Sequence, residues 1–586
     1  MRALPAVLIA VHACLVGYGA YVHSPTRNEV AHVPAGLAIW RTGTFALYRV
    51  NPPLPRALAS LPVLAADPNT DMIPAAARTG DREEWEVAAQ FADGNPLRYL
   101  ALVRLARLAG VAWSVLGAWL VWKWATELYG TVPGLLGLFL WAVDPTVNAH
   151  AQLATPDLPA AVAGLAAGYT FWRYLVRPGA ERAVAAGLVL GAAQLCKFTL
   201  LVLYPTFLLV AVVYAVGRGG GGSFAGLPTG RRLGHGALIS FISVAVINLG
   251  YLADGSLVPL EEYSFRSRLL TLRVAEDRPR EDNRFRGTWL GRVPVPLPYD
   301  YVSGMDIQRV DFEGRFESYA DGTWAGRGWW WFYLYALALK TPVGVLGLVA
   351  LGLALAIRRP RAEDAAVWLP VAAVLVFVSS QTGYTLHSRY VLPALPFALV
   401  GAAGAGRLLN RGARLVGLLV LGCAVGTAVS VGRVYPHTLS YFNEPSGGPR
   451  NGWRHLADSN VDWGQDLLLL RQWTEEHPEA RPLYVSCSHL VDPRHAGYEW
   501  EAAPVDLPHG CVPGPNARPQ DYDRYGPRPG YCAVDVFGLV AGDRRFFQRF
   551  APVDRVGYSI YIYRFTEAEA RAARAQMGLP PLPTLP

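Results

Sequence analysis

The sequence predicts a multi-pass α-helical membrane protein of about 11 transmembrane helices, with interfacial helices in its first outer loop and a C-terminal α/β extracytoplasmic domain. Three observations predict it. Hydrophobic residues make up 52% of the 586-residue chain. They gather into runs of roughly 20 residues, the length that crosses a bilayer as a helix. The short connections that fall on one side are all basic, as the positive-inside rule requires of cytoplasmic loops.

The first run, LPAVLIAVHACLVGYGAYV (4–22), has one early charge at Arg2, but its apolar stretch is long and contains Tyr and His, with no convincing small-x-small cleavage site, so it reads as a retained span. Further runs follow at about 104–128, 132–149, 156–176, 181–196, 198–217, 235–253, 334–357, 365–381, 389–408 and 413–433. With the N-terminus inside, the cytoplasmic connections carry Lys123, Arg173, Arg177, Arg182, Arg218, Arg231, Arg232 and the arginines near 358–361 and 407–414. The formal net charge of +8 is therefore topological, and no nucleic-acid partner is implied. The odd count puts the C-terminus outside. Residues 1–433 form the membrane domain, with outer loops at about 24–100 and 254–333, and residues 434–586 form an external domain with a Pro-rich tail. No internal repeat is visible, and the Gly-rich loop RGGGGSFAGLPTGRR (218–232) lacks the Lys-Ser/Thr ending of a phosphate loop.

Cys14, Cys196 and Cys423 fall in spans, whereas Cys487, Cys511 and Cys532 fall in the external domain. None has zinc-type CxxC spacing, and one disulfide with one thiol left over is expected there, its pairing open. In the external domain RPLYVSCS (481–488), YCAVDVFGLV (531–540) and YSIYIYRF (558–565) read as strands, and VDWGQDLLLLRQWTEEH (461–477) reads as a helix.

The first outer loop is more patterned than a connector requires. HVPAGLAIWRTGTF suits a short helix along the interface with Trp40 at headgroup level. VNPPLPRALASLPVL (50–64) suits a second, with Asn51 as cap and Pro52 in the first helical position. In NEVAHVPAG (28–36), Asn28 is placed to cap a helix, and Glu29 and His32, three apart, share one face of it. A second acid, Asp157, lies in TPDLPAA, where Thr155 can cap and Pro156 can open the helix. Lys197, Lys340, His387 and Arg389 fall at the outer ends of spans, against the positive-inside trend. Such cations are explained by a bound anion such as a lipid phosphate.

These segments together resemble the glycosyltransferase C superfamily, on its family-39 side, the branch of protein O-mannosyltransferases and lipid A aminoarabinose transferases. NEVAHVPAG followed by RVNPPL is similar to that family's first external loop, TPDLPAA to its second acidic motif, LCKFT to the lysine after the fifth span, LKTP to the eighth-span motif and HSRYVLPALP to the donor-side motif. PHTLSYFNEPSGGPRNG and SNVDWGQDL (436–466) resemble the juxtamembrane continuation of bacterial members, so the resemblance covers roughly residues 20–470. One departure stands out: the family's acidic pair begins with Asp, and this chain has Asn28.

The resemblance implies a glycosyltransferase of the bacterial plasma membrane. It would move a sugar from a polyprenyl-phosphate donor to a hydroxyl of a protein, lipid or glycan acceptor on the extracytoplasmic face, with inversion. Glu29, or else a different acid, would serve as base in place of the aspartate that Asn28 replaces, with Asp157 and His32 orienting the acceptor. Arg389, His387, Lys197 and Lys340 would hold the donor phosphate. No nucleotide site is needed, and a divalent metal ion held by Glu29, His32 and Asp157 is compatible with the residues. The alternatives are a flippase for the same lipid-linked substrate and a binding protein that keeps the fold without the chemistry.

Overall fold

The computed structural model describes residues 3–582 apart from 75–81, 217–223, 272–281, 315, 411–413, 487–494, 496, 498–499, 508–521 and 541. Cys487 and Cys511 lie outside the described residues; Cys532 is buried with no disulfide.

Seven helices among the described residues are long and apolar enough to cross a membrane: Leu4–Val22, Tyr99–Tyr129, Phe198–Val216, Thr229–Gly250, Ala362–Ser380, Ser388–Leu409 and Arg414–Gly432. Two broken pairs raise the number to nine: Thr131–Val143 with Pro145–Ala151, bent by 58°, and Phe332–Lys340 with Val343–Arg358, bent by 119°. The remaining two predicted runs are helices as well, Asp157–Val176 and Ala180–Gln194, but they meet no such criterion. The second is too short. The first is walled in by other helices and has little lipid to face, and Asp157, Pro159, Arg173 and its Tyr and Trp residues dilute its apolar run.

Small residues set the approach of these helices, as they do where packing rather than water drives association. A Cβ at Gly168 would meet Phe397 Cε1 at 2.5 Å, and one at Gly117 on the 31-residue helix Tyr99–Tyr129 would meet Trp141 Cζ2 at 2.3 Å. Both breaks have polar causes. Asp144 accepts from the amides of Thr146 and Val147 with Pro145 in the first turn, which restarts the helix at a new angle. At the second break, Asn443 Nδ2 donates to the carbonyls of Ala338 and Thr341, satisfying the orphaned end of Phe332–Lys340.

The first loop contains the two expected helices, Glu29–Thr42 and Leu54–Ala65, plus an unexpected third, Glu84–Gly94. Two details differ from the sequence reading. Glu29–Thr42 is buried along Glu29–Ala38 by its neighbours and reaches the surface at Trp40. Its starting residue Asn28 makes no side-chain cap, nor does Asn51 or Thr155: the helices begin at Leu54 and Asp157, after Pro53 and Pro156.

The C-terminal domain holds a five-stranded mixed sheet. Numbering the strands from the hairpin β1 (Ser318–Ala320) and β2 (Thr323–Ala325), they are β3 (Leu483–Val485), β4 (Glu501–Ala502), β5 (Gly530–Asp535), β6 (Asp554–Val556) and β7 (Ile560–Phe565), in the order β4-β3-β5-β7-β6. β3 runs parallel to β4 and β5, and the β5–β7 and β7–β6 pairs are antiparallel. The predicted strand 531–540 ends at Asp535, where Val536–Val540 turns helical. The predicted helix 461–477 starts at Leu467, because Gly464 at φ +94° and the Asp462 carboxylate on the Gly464 amide hold 461–466 in a turn.

Gly117→Ala should overpack the contact with Trp141 and lower stability by about 1–3 kcal/mol. Thermal unfolding in detergent checks this; an unchanged midpoint would mean the helices are not in this register.

Candidate functional site

One cavity of about 680 Å³ opens where the first loop, the start of Asp157–Val176, the 384–390 segment and the 458–463 turn converge. It gathers six of the eight residues singled out in the sequence: Asn28, His32, Asp157, Lys197, His387 and Arg389. Glu29 and Lys340 do not line it.

At its base, Lys197 Nζ donates to Asp157 Oδ1 at 2.5 Å, and Arg389 Nε lies 3.7 Å from Asp157 Oδ2. All three side chains are buried. Arg389 is held by its bond to Ser459 Oγ and by Trp463, whose ring centroid lies 4.3 Å from the guanidinium carbon. His387 is fixed on both sides, its Nε2 on Tyr384 Oη at 2.8 Å and its Nδ1 on Ser459 Oγ at 2.8 Å, with Asp458 Oδ1 at 3.2 Å. Burial would push the Asp458 carboxyl up, but His387, the Ser459 amide and Arg389 hold it well below the usual carboxylate range. Burial, then Arg389, pushes the His387 imidazole down.

His32 stacks on Tyr48 at 4.5 Å, and its Nε2 is buried without a hydrogen-bond partner. Burial, then the Arg56 guanidinium, lowers its pKa to about 3, so it is a neutral imidazole lining a cavity of ions.

Glu29 is engaged elsewhere. Arg107 grips it bidentately, Nε to Oε1 at 2.8 Å and Nη2 to Oε2 at 2.7 Å. The amide of Ala154 and the amide and hydroxyl of Thr26 take the remaining acceptor positions. With five donors on its carboxylate and no exposure, Glu29 is turned away from the cavity in which the sequence reading expected it to serve as base. Lys340 is likewise structural: its Nζ donates to the carbonyls of Leu439 at 2.8 Å and Asn460 at 2.5 Å. Nor do Glu29, His32 and Asp157 gather as metal ligands; the one group of three metal-type side chains found among the described residues is His23, His437 and Asp466.

The sequence reading missed Arg27, Arg82, Asp311 and Asp458, which line the same cavity. Arg82 pairs with Glu84 at 2.5 Å and approaches Asp311 at 3.5 Å. Trp463 stands inside the SNVDWGQDL segment and Asp458 immediately before it; the resemblance marked that segment without revealing that it folds back over Arg389.

Residues 103–244 match the family described as "Dolichyl-phosphate-mannose-protein mannosyltransferase". The resemblance read from the loop motifs is supported by this match through the helices between them. No curated protein matches the chain. Solved structures similar to it include ArnT from Cupriavidus metallidurans bound to undecaprenyl phosphate, at 12% identity and TM-score 0.46, covering 95% of this chain and 97% of that one. The Archaeoglobus fulgidus oligosaccharyltransferase in complex with Zn and sulfate is similar at 12% identity and TM-score 0.43, covering 91% of this chain and 68% of the other.

The His32 geometry carries a pH dependence. Unfolded, an imidazole takes up a proton near pH 6.5; folded, this one does so only near 3. The unfolded chain therefore binds more protons in between, and stability falls as pH drops from about 6.5. Lowering pH from 7.5 to 5 should cost up to about 2 kcal/mol at this residue. Thermal unfolding of wild type and His32→Gln at both pH values checks it: the mutant should lose less on acidification.

Proposed function

We propose that the protein transfers a sugar from a polyprenyl-phosphate-linked donor to an acceptor hydroxyl within this cavity. The observation that carries the reading is the buried Asp157 carboxylate set between Lys197 and Arg389. The reaction needs a base for the incoming hydroxyl beside cations for the departing phosphate, and this arrangement supplies both in one place.

Lys197 holds Oδ1 of Asp157, leaving Oδ2 the freer oxygen, with Arg389 at 3.7 Å. The acceptor hydroxyl gives its proton to that oxygen as its own oxygen bonds to the anomeric carbon. The bond from that carbon to the phosphate oxygen breaks, and polyprenyl phosphate leaves with the bonding pair. Direct displacement inverts the anomeric centre. Arg389, whose planar fork suits two phosphate oxygens, and Lys197 stabilise the charge that develops on the leaving group. Trp463 and Ser459 keep the guanidinium in place, and Asn28 offers the acceptor an amide where the family has an acid. The basic cytoplasmic loops support a cavity that faces the extracytoplasmic side.

Asn28 is also the observation that favours a second reading, a binding protein that retains the donor site without turnover. One assay separates the two: release of polyprenyl phosphate from a polyprenyl-phosphate sugar by purified protein, with a membrane and periplasmic extract supplying the acceptor hydroxyl. Wild type should turn over, Asp157→Asn should fall by about 10²-fold or more, and Asn28→Asp should match or exceed wild type. Turnover in wild type that survives Asp157→Asn would remove Asp157 as the base, and turnover only in Asn28→Asp would establish the second reading.

A further inference from the structure

Away from the cavity, three side chains from distant parts of the chain converge on one point. His23 follows the helix Leu4–Val22, His437 follows Arg414–Gly432, and Asp466 precedes the helix Leu467–Glu476. Each offers one ligand atom, and the three atoms lie within 4.8 Å of one another. His23 Nε2, His437 Nδ1 and Asp466 Oδ1 are all buried and make no hydrogen bond. His437 Nδ1 and Asp466 Oδ1 approach to 3.5 Å. His437 and Asp466 thus meet at ion-pair range, whereas His23 Nε2, buried beside them without a partner, is costly for a folded chain unless something joins it to the group.

Their other atoms are anchored. His23 Nδ1 meets Gln152 Oε1 at 3.0 Å, a contact that puts the proton on Nδ1 and leaves the lone pair of Nε2 toward the group. Asp466 Oδ2 accepts from Ser559 Oγ at 2.7 Å. Such outer hydrogen bonds orient metal ligands and raise their basicity. Two glycines make room for these anchors. A Cβ at Gly19 would sit 2.1 Å from Gln152 Oε1, and one at Gly557, whose φ is +55°, would sit 2.2 Å from Asp466 Oδ2.

We propose that His23, His437 and Asp466 hold a divalent transition-metal ion of the zinc class. Two imidazole nitrogens and one carboxylate oxygen are a zinc-type donor set. Bonds of about 2.0–2.1 Å in a tetrahedron put ligand atoms about 3.3–3.5 Å apart, which the His437–Asp466 approach already meets. The fourth position is left to water, through the cleft of about 560 Å³ that His437 lines with Arg450, Asp554 and Tyr558. None of the three ligands lines the Asp157 cavity. The ion would act as a clip. It joins the end of the first span to both ends of the 437–466 segment and, through Ser559, to the C-terminal sheet, and that segment carries Asp458, Ser459 and Trp463 to the cavity.

The test is elemental analysis of the full-length protein, purified without a polyhistidine tag or chelator from zinc-supplied cells. It is run beside Asp157→Asn and the double variant His23→Gln, His437→Gln. About one zinc per chain is expected in wild type and in Asp157→Asn, and none above background in the double variant. Retention of zinc by the double variant, or its absence from wild type, overturns the proposal. Should the double variant fail to fold, cobalt(II) added to metal-stripped wild type decides. Visible absorption of a four-coordinate nitrogen and oxygen site supports the clip, and an aquo-ion spectrum alone ends it.

Discussion

The buried pair between Glu29 and Arg107 is the constraint on which the site depends. Arg107 projects from the helix Tyr99–Tyr129 and uses its guanidinium on five acceptors: two oxygens of Glu29 and the carbonyls of Ala20, His23 and Ser24. This ties the end of the first span, the turn that follows it and the start of Glu29–Thr42 to one point. Glu29 extends the tie to Ala154, three residues before Asp157. With the turn fixed, Ser24 bonds the 464–467 backbone at three places, and the Arg27 amide donates to the Trp463 carbonyl. The acid and arginine thus assemble the walls of the cavity without entering it. Removing one partner of such a pair leaves a buried unmatched charge, which commonly costs about 3–5 kcal/mol.

Much of the fold was legible in the sequence, because apolar runs must become helices wherever water is excluded. The runs that depart from a simple span do so for reasons hydropathy does not carry. Asp157–Val176 is surrounded by protein, and the two bent pairs depend on Asp144 and on Asn443, the latter about a hundred residues away in sequence. The strand 531–540 and the helix 461–477 were each half right, since a turn at Asp462–Gly464 and a helical start at Val536 are set by local hydrogen bonds that periodicity does not show.

The site was legible to a similar degree. Asp157, Lys197, His387 and Arg389 are ionisable groups at the ends of spans where nothing in the topology calls for them, and they share the cavity. Glu29 and Lys340 carry the same signal and are structural. Sequence cannot separate the two cases, because the partners that decide them, Arg107 for Glu29 and the carbonyls of Leu439 and Asn460 for Lys340, are brought in by the fold. The charge pattern also bears on mechanism. A translocation path calls for ionisable groups near the middle of spans, whereas here they converge at one end with a neutral histidine and two asparagines among them.

What occupies this cavity in the cell decides whether it is a donor site. Lipids extracted from protein purified in mild detergent, identified by mass spectrometry, give the most direct measurement. A polyprenyl phosphate or its sugar ester, enriched over its abundance in the membrane, is the predicted result. Recovery of bulk phospholipid alone, with added polyprenyl phosphate failing to bind, would contradict the account.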